Sequence, residues 1–383
     1  MERSRNYLAA ADLLRVTAIC LVGWYHIWQQ SWLDPGFHVG SYYVNLQQVV
    51  RNGYMMVDIL LVLSGFLLAL PYANARMGRA VRPTAKSFYV KRFWRIVPSY
   101  VLAILLTLFF WALPQGLYAG PGAAVKDLLA HLTFTHNLFS DTYFFTPLPG
   151  VLWTMGVEVQ FYLLFPLIAL FYEDRPWLTC LFLTAAALCF RLWVYFQSGT
   201  VMLVNQLPAM LDLFACGMAA AWVYARLSVR RLPEGARWAL AAGALLALCV
   251  ILQLLYRQTL GDGDTVRRGQ LLLRLPLGIA GGAFLLCGCL GPSTLSAGLG
   301  NPVTKFLSAV SYNFYIWHQF IAVRLKALHI PPYASESPNM AAEQPWMTRY
   351  TLLCFAAAMA VAAAVTFLWE RPIYKKATRT LGQ

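Results

Sequence analysis

The first apolar stretch of the chain carries an arginine and a histidine whose spacing would let them act on one molecule. In DLLRVTAICLVGWYHIW, Arg15 and His26 are eleven residues apart, which in an α-helix is roughly 16 Å along the axis and about 20° of rotation. A neutral imidazole is suited to take a proton from a hydroxyl group, and a guanidinium suits phosphate. A simpler interpretation is a snorkelling arginine and an interfacial histidine beside Trp24, Tyr25 and Trp28. This stretch alone does not separate the two.

Two later apolar stretches contain a carboxylate. Asp58 lies in GYMMVDILLVLSGFLLALPY, and Glu158 lies in LWTMGVEVQFYLLFPL with Tyr162 one turn later on the same side. A carboxylate at membrane depth must be paired or protonated. Arg15 or His26 could supply the partner of Asp58.

A basic cluster precedes the third apolar stretch. Lys91, Arg92 and Arg95 in FYVKRFWRIVPSY gather where that stretch begins, and Pro98 fits near the start of the helix. Lipid head groups are one partner for such a cluster. A bound phosphate is the more specific alternative, because the arginine fork matches phosphate oxygens.

Polar residues also mark the last two apolar stretches. In SYNFYIWHQF, Ser311, Tyr315 and His318 follow a spacing of i, i+4 and i+7, which predicts one polar stripe on a helix. In WERP, Glu370 is expected to end the last span, just before Pro372.

The remaining polar positions have structural interpretations. Arg191 and Asp212 are expected to pair with each other, and Ser64, which precedes a glycine, forms a notch that favours helix packing over close ligand approach. His131 and His136 are spaced loosely for a metal site, and a ligand role is disfavoured.

Composition indicates that these residues lie on membrane-spanning helices. Of the 383 residues, 59% are hydrophobic and 12% are charged, and mean hydropathy is +0.56. Soluble domains carry about 25% charge, so a soluble enzyme, a disordered chain and a secreted disulfide scaffold are excluded. The eight cysteines lie in apolar stretches, which argues against a thiolate metal site. The net charge of +14 comes from short segments between these stretches, so nucleic-acid binding is disfavoured.

The chain is therefore predicted to be all-α, a polytopic membrane protein with one membrane-embedded domain over residues 1–383. Stretches long enough to cross about 30 Å of hydrocarbon lie at about 11–29, 53–72, 96–113, 150–171, 177–196, 205–225, 238–256, 270–290, 303–323 and 350–369.

Charge bias predicts the orientation of these ten spans. The basic segments 73–95, 226–237 and 371–379 would lie on one face together with the N-terminus, and Lys and Arg mark cytoplasmic segments. Both termini are thus expected in the cytoplasm. The opposite face would carry longer segments poor in these residues, namely 30–52, 114–149 and 324–349.

In their order along the chain, six motifs resemble those of the acyltransferase-3 family of bacterial membrane O-acyltransferases. They are Arg15 with His26, VDILLVLSGF at 57–66, KRFWRIVPSY at 91–100, LWTMGVEVQFY at 152–162, SYNFYIWH at 311–318, and Glu370 with Pro372. Departures are mild: Lys91 stands where the family tends to have Arg, Thr154-Met155 replaces a usual Ser-Leu pair, and Met56 stands where glycine is common.

The resemblance implies transfer of an acyl group, often acetyl, from acyl-coenzyme A in the cytoplasm to a hydroxyl of an envelope carbohydrate outside the bacterial inner membrane. Acyl-coenzyme A would be a substrate, with no permanently bound cofactor and no metal. Some members carry a further span and an esterase-like domain, so this chain is expected to act alone or with a separate envelope-biosynthesis protein.

The resemblance also suggests roles for the residues above. His26 would be the general base or a transient acyl carrier, and Glu158 or Asp58 would orient it. The residues expected to bind the donor are Arg15, Ser64, Lys91, Arg92 and Arg95, and those expected to line the pocket are Tyr162, Ser311, Tyr315, His318 and Glu370.

Two other functions are compatible with the same charges. An exporter of an anionic metabolite could use Arg15, His26, Asp58 and Glu158 as a translocation path, although no interrupted helices support it. A catalytically idle scaffold is disfavoured, because each unneeded charge in lipid costs about 2.5–3.5 kcal/mol.

Overall fold

The computed structural model describes residues 8–197, 201–258 and 263–379. These residues are mostly helical, as predicted, with one short β-hairpin. In chain order the helices and strands are α1 (Ala9–Ser31), β1 (Phe37–Val39), β2 (Tyr42–Val44), α2 (Gln47–Arg51), α3 (Met56–Arg76), α4 (Ala85–Thr107), α5 (Pro121–Leu132), α6 (Ser140–Phe144), α7 (Trp153–Asp174), α8 (Pro176–Tyr195), α9 (Val201–Val204), α10 (Leu211–Leu227), α11 (Glu234–Arg257), α12 (Gly263–Leu290), α13 (Ser293–Leu299), α14 (Pro302–Ala327), α15 (Trp346–Ala364) and α16 (Arg371–Thr378).

Nine helical runs in the described residues are long and apolar enough to cross a membrane, and they cover nine of the ten predicted spans. The predicted span 303–323 is also a helix, α14, with 26 residues. It falls outside the nine because polar residues such as Asn313, His318 and Gln319 lower its hydropathy. The all-α polytopic class is therefore confirmed.

Helix α4 begins at Ala85, eleven residues before the predicted start of the third span. The hydroxyl of Thr84 accepts the backbone N–H of Ser87 at 3.1 Å, which caps the first turn. The basic cluster therefore lies inside the helix. The placement of Pro98 near the helix start was wrong, since Pro98 is in the interior and its carbonyl accepts the indole N–H of Trp369 at 3.1 Å.

The last long helical run also extends further than the predicted span. A π-helical turn, Val365–Glu370, follows α15, and α16 continues the helical run to Thr378. Pro372 does not end the run because it lies in the first turn of α16, where a missing N–H removes no helical hydrogen bond. The helix therefore continues past Glu370, and the expectation that the membrane span ends there stays a prediction.

The segments predicted as loops contain structure of their own. Strands β1 and β2 pair antiparallel, with Phe37 opposite Val44, and Gly40 adopts a positive φ of 61° in the turn. Helices α5 and α6 lie within the predicted 114–149 segment. These short elements could not be predicted from apolar stretches, because none of them contains a long one.

The chain forms two compact units, each built from separate segments. Among the described residues, unit 1 comprises 8–18, 55–83 and 164–309 with its two gaps, and unit 2 comprises 19–54, 84–163 and 310–379.

Unit 1 is organised around the contact between α3 and α10. A Cβ built on Gly65 would lie 2.3 Å from the carbonyl oxygen of Phe214, and one built on Gly217 would lie 1.9 Å from that of Val62. Glycine at both positions lets the two backbones touch. Gly65 thus serves helix packing, which is the interpretation favoured for the notch that it forms with Ser64.

Unit 2 has a core where α1, α14 and α15 meet. Ile27, Ala322, Tyr350 and Cys354 are fully buried there. The Tyr350 hydroxyl donates to the carbonyl of Ala322 at 2.6 Å, so α15 is fixed against α14. This core supports the part of α1 that carries His26.

Candidate active site

His26 lies on the part of α1 that belongs to unit 2, and the side chains of two glutamines lie beside its Nδ1. Its Nδ1 is 2.9 Å from Oε1 of Gln29 and 3.2 Å from Nε2 of Gln319. The amide nitrogen of Gln29 donates to the Tyr25 hydroxyl at 2.9 Å, which turns the amide oxygen toward the imidazole. Nδ1 can bond to only one of the two, because an Nδ1–H donates to the Gln29 oxygen and cannot accept from the Gln319 amide nitrogen. The contact with Gln29 is the shorter, and with Nδ1–H donating there the lone pair is on Nε2. In that tautomer, Nε2 can accept a proton and so act as a general base.

A second imidazole lies beside the first. The ring centroids of His26 and His318 are 5.2 Å apart, with 44° between the planes. His318 is fully buried, and its Nδ1 is 3.1 Å from the Phe314 carbonyl, to which it can only donate. Its Nε2 has no hydrogen-bond partner in the described residues. Ser311, the first residue of the predicted stripe, is also buried on α14.

Gly23 makes this pairing possible. A Cβ built on Gly23 would lie 2.6 Å from Cε1 and 2.9 Å from Cζ of Phe314, so α1 and α14 approach at this point through the missing side chain. The Phe314 ring in turn stacks on His318, with centroids 5.6 Å apart and 10° between the planes. One glycine thus sets the separation of the two histidines.

Tyr315 ties α14 to the start of α7. Its hydroxyl accepts from the Thr154 hydroxyl at 2.9 Å and donates to the carbonyl of Val151 at 3.3 Å. One turn after Thr154, Glu158 accepts a hydrogen bond from the Tyr162 hydroxyl. The structure therefore brings the predicted residues of α7 and α14 into one region of unit 2.

The carboxylates expected to orient His26 are not bonded to it. Glu158 is bonded to Tyr162, and Asp58 belongs to unit 1. The amide oxygen of Gln29 takes the orienting position instead. A neutral amide fixes the tautomer without adding a negative charge beside the ring.

In the basic cluster of α4, Lys91 and Arg92 have no carboxylate partner in the described part of the chain. The Arg92 guanidinium lies 5.5 Å from the Tyr162 ring centroid and 5.9 Å from that of Phe88, in cation–π geometry. Lys91 is exposed. Both charges remain able to attract an anion.

Arg95 differs, because it forms an ion pair with Glu370. Glu370 is fully buried and also accepts from the Asn313 amide at 2.7 Å, while that amide donates to the Thr366 hydroxyl at 2.8 Å. The charge of Arg95 is thus balanced within the protein, and Glu370 links α4 to α14.

Arg15 lies at the other end of α1, in unit 1. Its Nη1 donates to Asp12 at 3.2 Å and to the Ser308 hydroxyl at 2.9 Å, and that hydroxyl donates to Asp12 at 2.6 Å. The continuous helix predicted to carry Arg15 and His26 is confirmed.

The partner of Asp58 is Arg274, not Arg15 or His26. Nε of Arg274 lies 3.3 Å and 3.2 Å from the two carboxylate oxygens, and its Nη2 donates to the Asn205 amide oxygen at 3.2 Å. The expected pair of Arg191 and Asp212 is confirmed, and both residues are buried.

Sequence reasoning missed four residues that shape these sites. Gln29 and Gln319 had a local signal, since each lies within three residues of a candidate histidine. Arg274 also had a signal, since it is a lone arginine inside the eighth apolar stretch and, like Asp58, requires a partner at membrane depth. Gly23 had no signal beyond its residue type.

Comparison with known proteins identifies a family for this chain. The model of the family described as an acyltransferase domain matches residues 8–369, nearly the whole chain. This chain belongs to the acyltransferase-3 family. The resemblance carried by the six motifs is therefore confirmed.

Curated relatives of this acyltransferase-3 chain include peptidoglycan enzymes. It is 26% identical over 334 residues to "Putative peptidoglycan O-acetyltransferase YrhL" of Bacillus subtilis, covering 83% of the chain and 49% of that protein. It is 26% identical over 336 residues to peptidoglycan O-acetyltransferase OatA of Listeria monocytogenes, covering 82% and 49%. It is 29% identical over 208 residues to nodulation protein 10 of Rhizobium leguminosarum, covering 51% and 53%. The chain spans about half the length of these relatives. No solved structure gave a significant match.

Outside its predicted spans, this acyltransferase-3 chain has a second histidine pair. The rings of His131 and His136 stack with centroids 4.1 Å apart, and His131 Nδ1 lies 3.1 Å from Asp127. Burial, followed by the charge of His131, lowers the pKa of His136 to about 3. Burial alone would raise the pKa of Asp127, but hydrogen bonds from His131, Thr146 and Tyr118 together hold it below its ordinary value. The described residues contain no group of three His, Cys, Asp or Glu able to hold a metal ion.

Proposed function

We propose that this chain is a membrane O-acyltransferase that moves an acetyl group from acyl-coenzyme A in the cytoplasm to a hydroxyl of an envelope carbohydrate. The bacterial cytoplasmic membrane is its proposed location, with both termini inside. Family membership supports acyl transfer, and the names of two relatives support an O-linked acetyl group and a peptidoglycan acceptor.

The observation that carries the proposal is the histidine pair. His26 is partly exposed, and its Nδ1 is engaged by an amide oxygen, which leaves Nε2 free to accept a proton. His318 is buried beside it with a tautomer set by the Phe314 carbonyl. Two neutral imidazoles suit a site that must take up and return one proton during each cycle.

In the proposed reaction, Nε2 of His26 removes the proton of the acceptor hydroxyl. The alkoxide oxygen attacks the thioester carbonyl carbon, a C–O bond forms and the C–S bond breaks. Coenzyme A leaves as the thiolate and takes the proton from the imidazolium, so the products are an O-acetyl ester and the free thiol. In the alternative route, the imidazole carries the acetyl group between two half-reactions.

The donor side of the proposal rests on α4. Lys91 and Arg92 are the cations of this cluster without a carboxylate partner in the described residues, and the phosphates of coenzyme A would suit them. Arg95, balanced by Glu370, would hold α4 in place rather than supply a free charge.

The test uses membranes that contain the full chain, labelled acetyl-coenzyme A and the envelope glycan fraction. Alkali-labile acetate on the glycan is measured for the wild type, for His26→Ala, and for His38→Ala as a control on the exposed hairpin. We expect His26→Ala to lose at least 10²-fold in transfer and His38→Ala to retain it.

Undiminished transfer by His26→Ala would remove this residue from the mechanism. Uptake of labelled solute into sealed vesicles without any ester product would instead support an exporter.

A further inference from the structure

A groove in unit 1 lies outside every residue assigned above. It has a volume of about 640 Å³ and is formed by residues at the ends of α3, α8 and α10, and we call it the arginine groove. Its lining residues are Met77, Arg79, Trp177, Val223, Arg226, Leu227, Val229 and Arg230.

The arginine groove is strongly positive. Three of its lining residues are arginines, and none is acidic. Arg79 donates to the carbonyl of Ala225 in the last turn of α10, while Arg226 lies 6.0 Å from the Trp222 ring centroid. The two acids that end α7, Glu173 and Asp174, do not neutralise these charges, and Glu173 pairs with Arg82.

The neighbouring acid is engaged in the same way. Asp174 lies 3.8 Å from Nε of Arg76, and neither Asp174 nor Glu173 lines the groove. The field at the three lining arginines therefore favours an anion.

The groove also has an apolar wall that stays exposed. Trp177 is 55% and Val229 is 59% exposed, and Val223 and Leu227 continue the wall along α10. An exposed tryptophan beside arginines at the ends of three candidate spans is the pattern of a membrane interface, where one side of a site is wet and the other is lipid.

We propose that the arginine groove binds an anionic phospholipid. The lipid phosphate would contact Arg79, Arg226 and Arg230, and the first carbons of an acyl chain would lie against Trp177 and Leu227. Guanidinium groups bind phosphate oxygens through paired N–H donors. A soluble phosphate ester would use the charges but leave the apolar wall uncovered, so the lipid fits both halves of the groove. The inference is independent of acetyl transfer.

The test measures lipid binding by the purified full chain, not its activity. Phosphatidylglycerol is titrated into protein held in phosphatidylcholine-containing micelles, and bound lipid is counted by native mass spectrometry. Each surface cation contributes about 1 kcal/mol to attraction of an anionic headgroup, or about fivefold in affinity. We therefore expect Arg226→Ala/Arg230→Ala to weaken phosphatidylglycerol binding roughly 25-fold, and Trp177→Ala to weaken it as well.

Arg231→Ala is the matched control, since Arg231 is an exposed neighbour that does not line the groove. It should bind like the wild type. Arg79 is left intact because it also caps α10, and unchanged thermal unfolding confirms that each variant is folded. Equal binding of phosphatidylglycerol and phosphatidylcholine, or full binding by the double variant, would overturn the proposal. Displacement of the lipid by inorganic phosphate or coenzyme A alone would show that the groove takes a soluble ligand instead.

Discussion

Replacing Gly23 by alanine should disable the histidine pair without removing any group that takes part in the proposed chemistry. The added Cβ would lie 2.6 Å from Cε1 of Phe314, whereas ordinary contacts of this kind measure 3.4–4 Å. Either α1 moves away from α14 or the phenyl ring moves, by about 1 Å in both cases.

Neither movement leaves the site unchanged. If α1 moves, His26 leaves His318, because the two rings are on these two helices. If the Phe314 ring moves, it disturbs one of the two rings stacked on it. These are His318 and Phe355, whose ring centroid is 6.2 Å from that of Phe314. A displacement of about 1 Å at a reacting group costs on the order of 10² in rate. We expect acetyl transfer to fall by that factor.

The assay compares labelled acetyl transfer by Gly23→Ala with that of Gly243→Ala. A Cβ on Gly243 would lie 3.4 Å from the sulfur of Cys287, an ordinary contact, so this control should retain activity and stability. Gly23→Ala/Phe314→Leu restores part of the space and should recover part of the activity. Wild-type transfer by folded Gly23→Ala would refute the claim that the spacing of these two helices sets the activity.

Two further predictions concern groups outside the histidine pair. Arg274→Met should lower the free energy of unfolding by about 3–5 kcal/mol, because it leaves the buried Asp58 carboxylate without its cation. In thermal unfolding, Arg274→Met/Asp58→Leu should regain most of the lost stability. Unchanged stability of the single variant would contradict the pairing. His136 has a folded pKa of about 3 against an ordinary 6.5, so between these values the unfolded segment binds a proton that the folded one does not, and stability falls as pH falls. Lowering the pH from 7 to 5 should therefore reduce the stability of this segment by about 2 kcal/mol. Hydrogen exchange over residues 121–144 should accelerate by roughly 20-fold after correction for intrinsic rates. His136→Phe should show no such pH dependence.

The existence of the long helices could be predicted from the sequence, because the length of each apolar stretch matches the thickness of a membrane. Their ends could not be predicted in the same way. The search for apolar residues passes over the basic first turns of α4, although Thr84 followed by Ser87 is a local capping signal. The helical run beyond Glu370 is not predictable from the sequence pattern, because a proline usually stops a helix, whereas a π-helical turn places Pro372 at a permitted position.

The candidate site was predictable where its partners are close in sequence. The stripe of Ser311, Tyr315 and His318 follows from helical periodicity, and the bond between Glu158 and Tyr162 follows from a spacing of one turn. The pairing of Asp58 with Arg274 joins residues 216 positions apart, and only helix packing decides such a partner.

A buried charge does not by itself identify a functional residue in this protein. Charges in lipid are costly, which suggested that each one serves catalysis or transport. Yet the buried carboxylates Asp58, Asp212 and Glu370 each have an arginine partner, so their cost is offset within the protein.

A buried ion pair of this kind is compatible with a purely structural role, and its presence does not distinguish an enzyme from a scaffold. The imidazoles of His26 and His318 are different, because a neutral ring carries no charge to offset and can still gain and lose a proton during a reaction. They are also not joined to a carboxylate in the described residues: the Nδ1–H donates to the Gln29 amide oxygen in His26 and to a backbone carbonyl in His318. The case for catalysis therefore rests on the two uncharged rings rather than on the more conspicuous charges, and the tests that matter most are those that move or remove an imidazole.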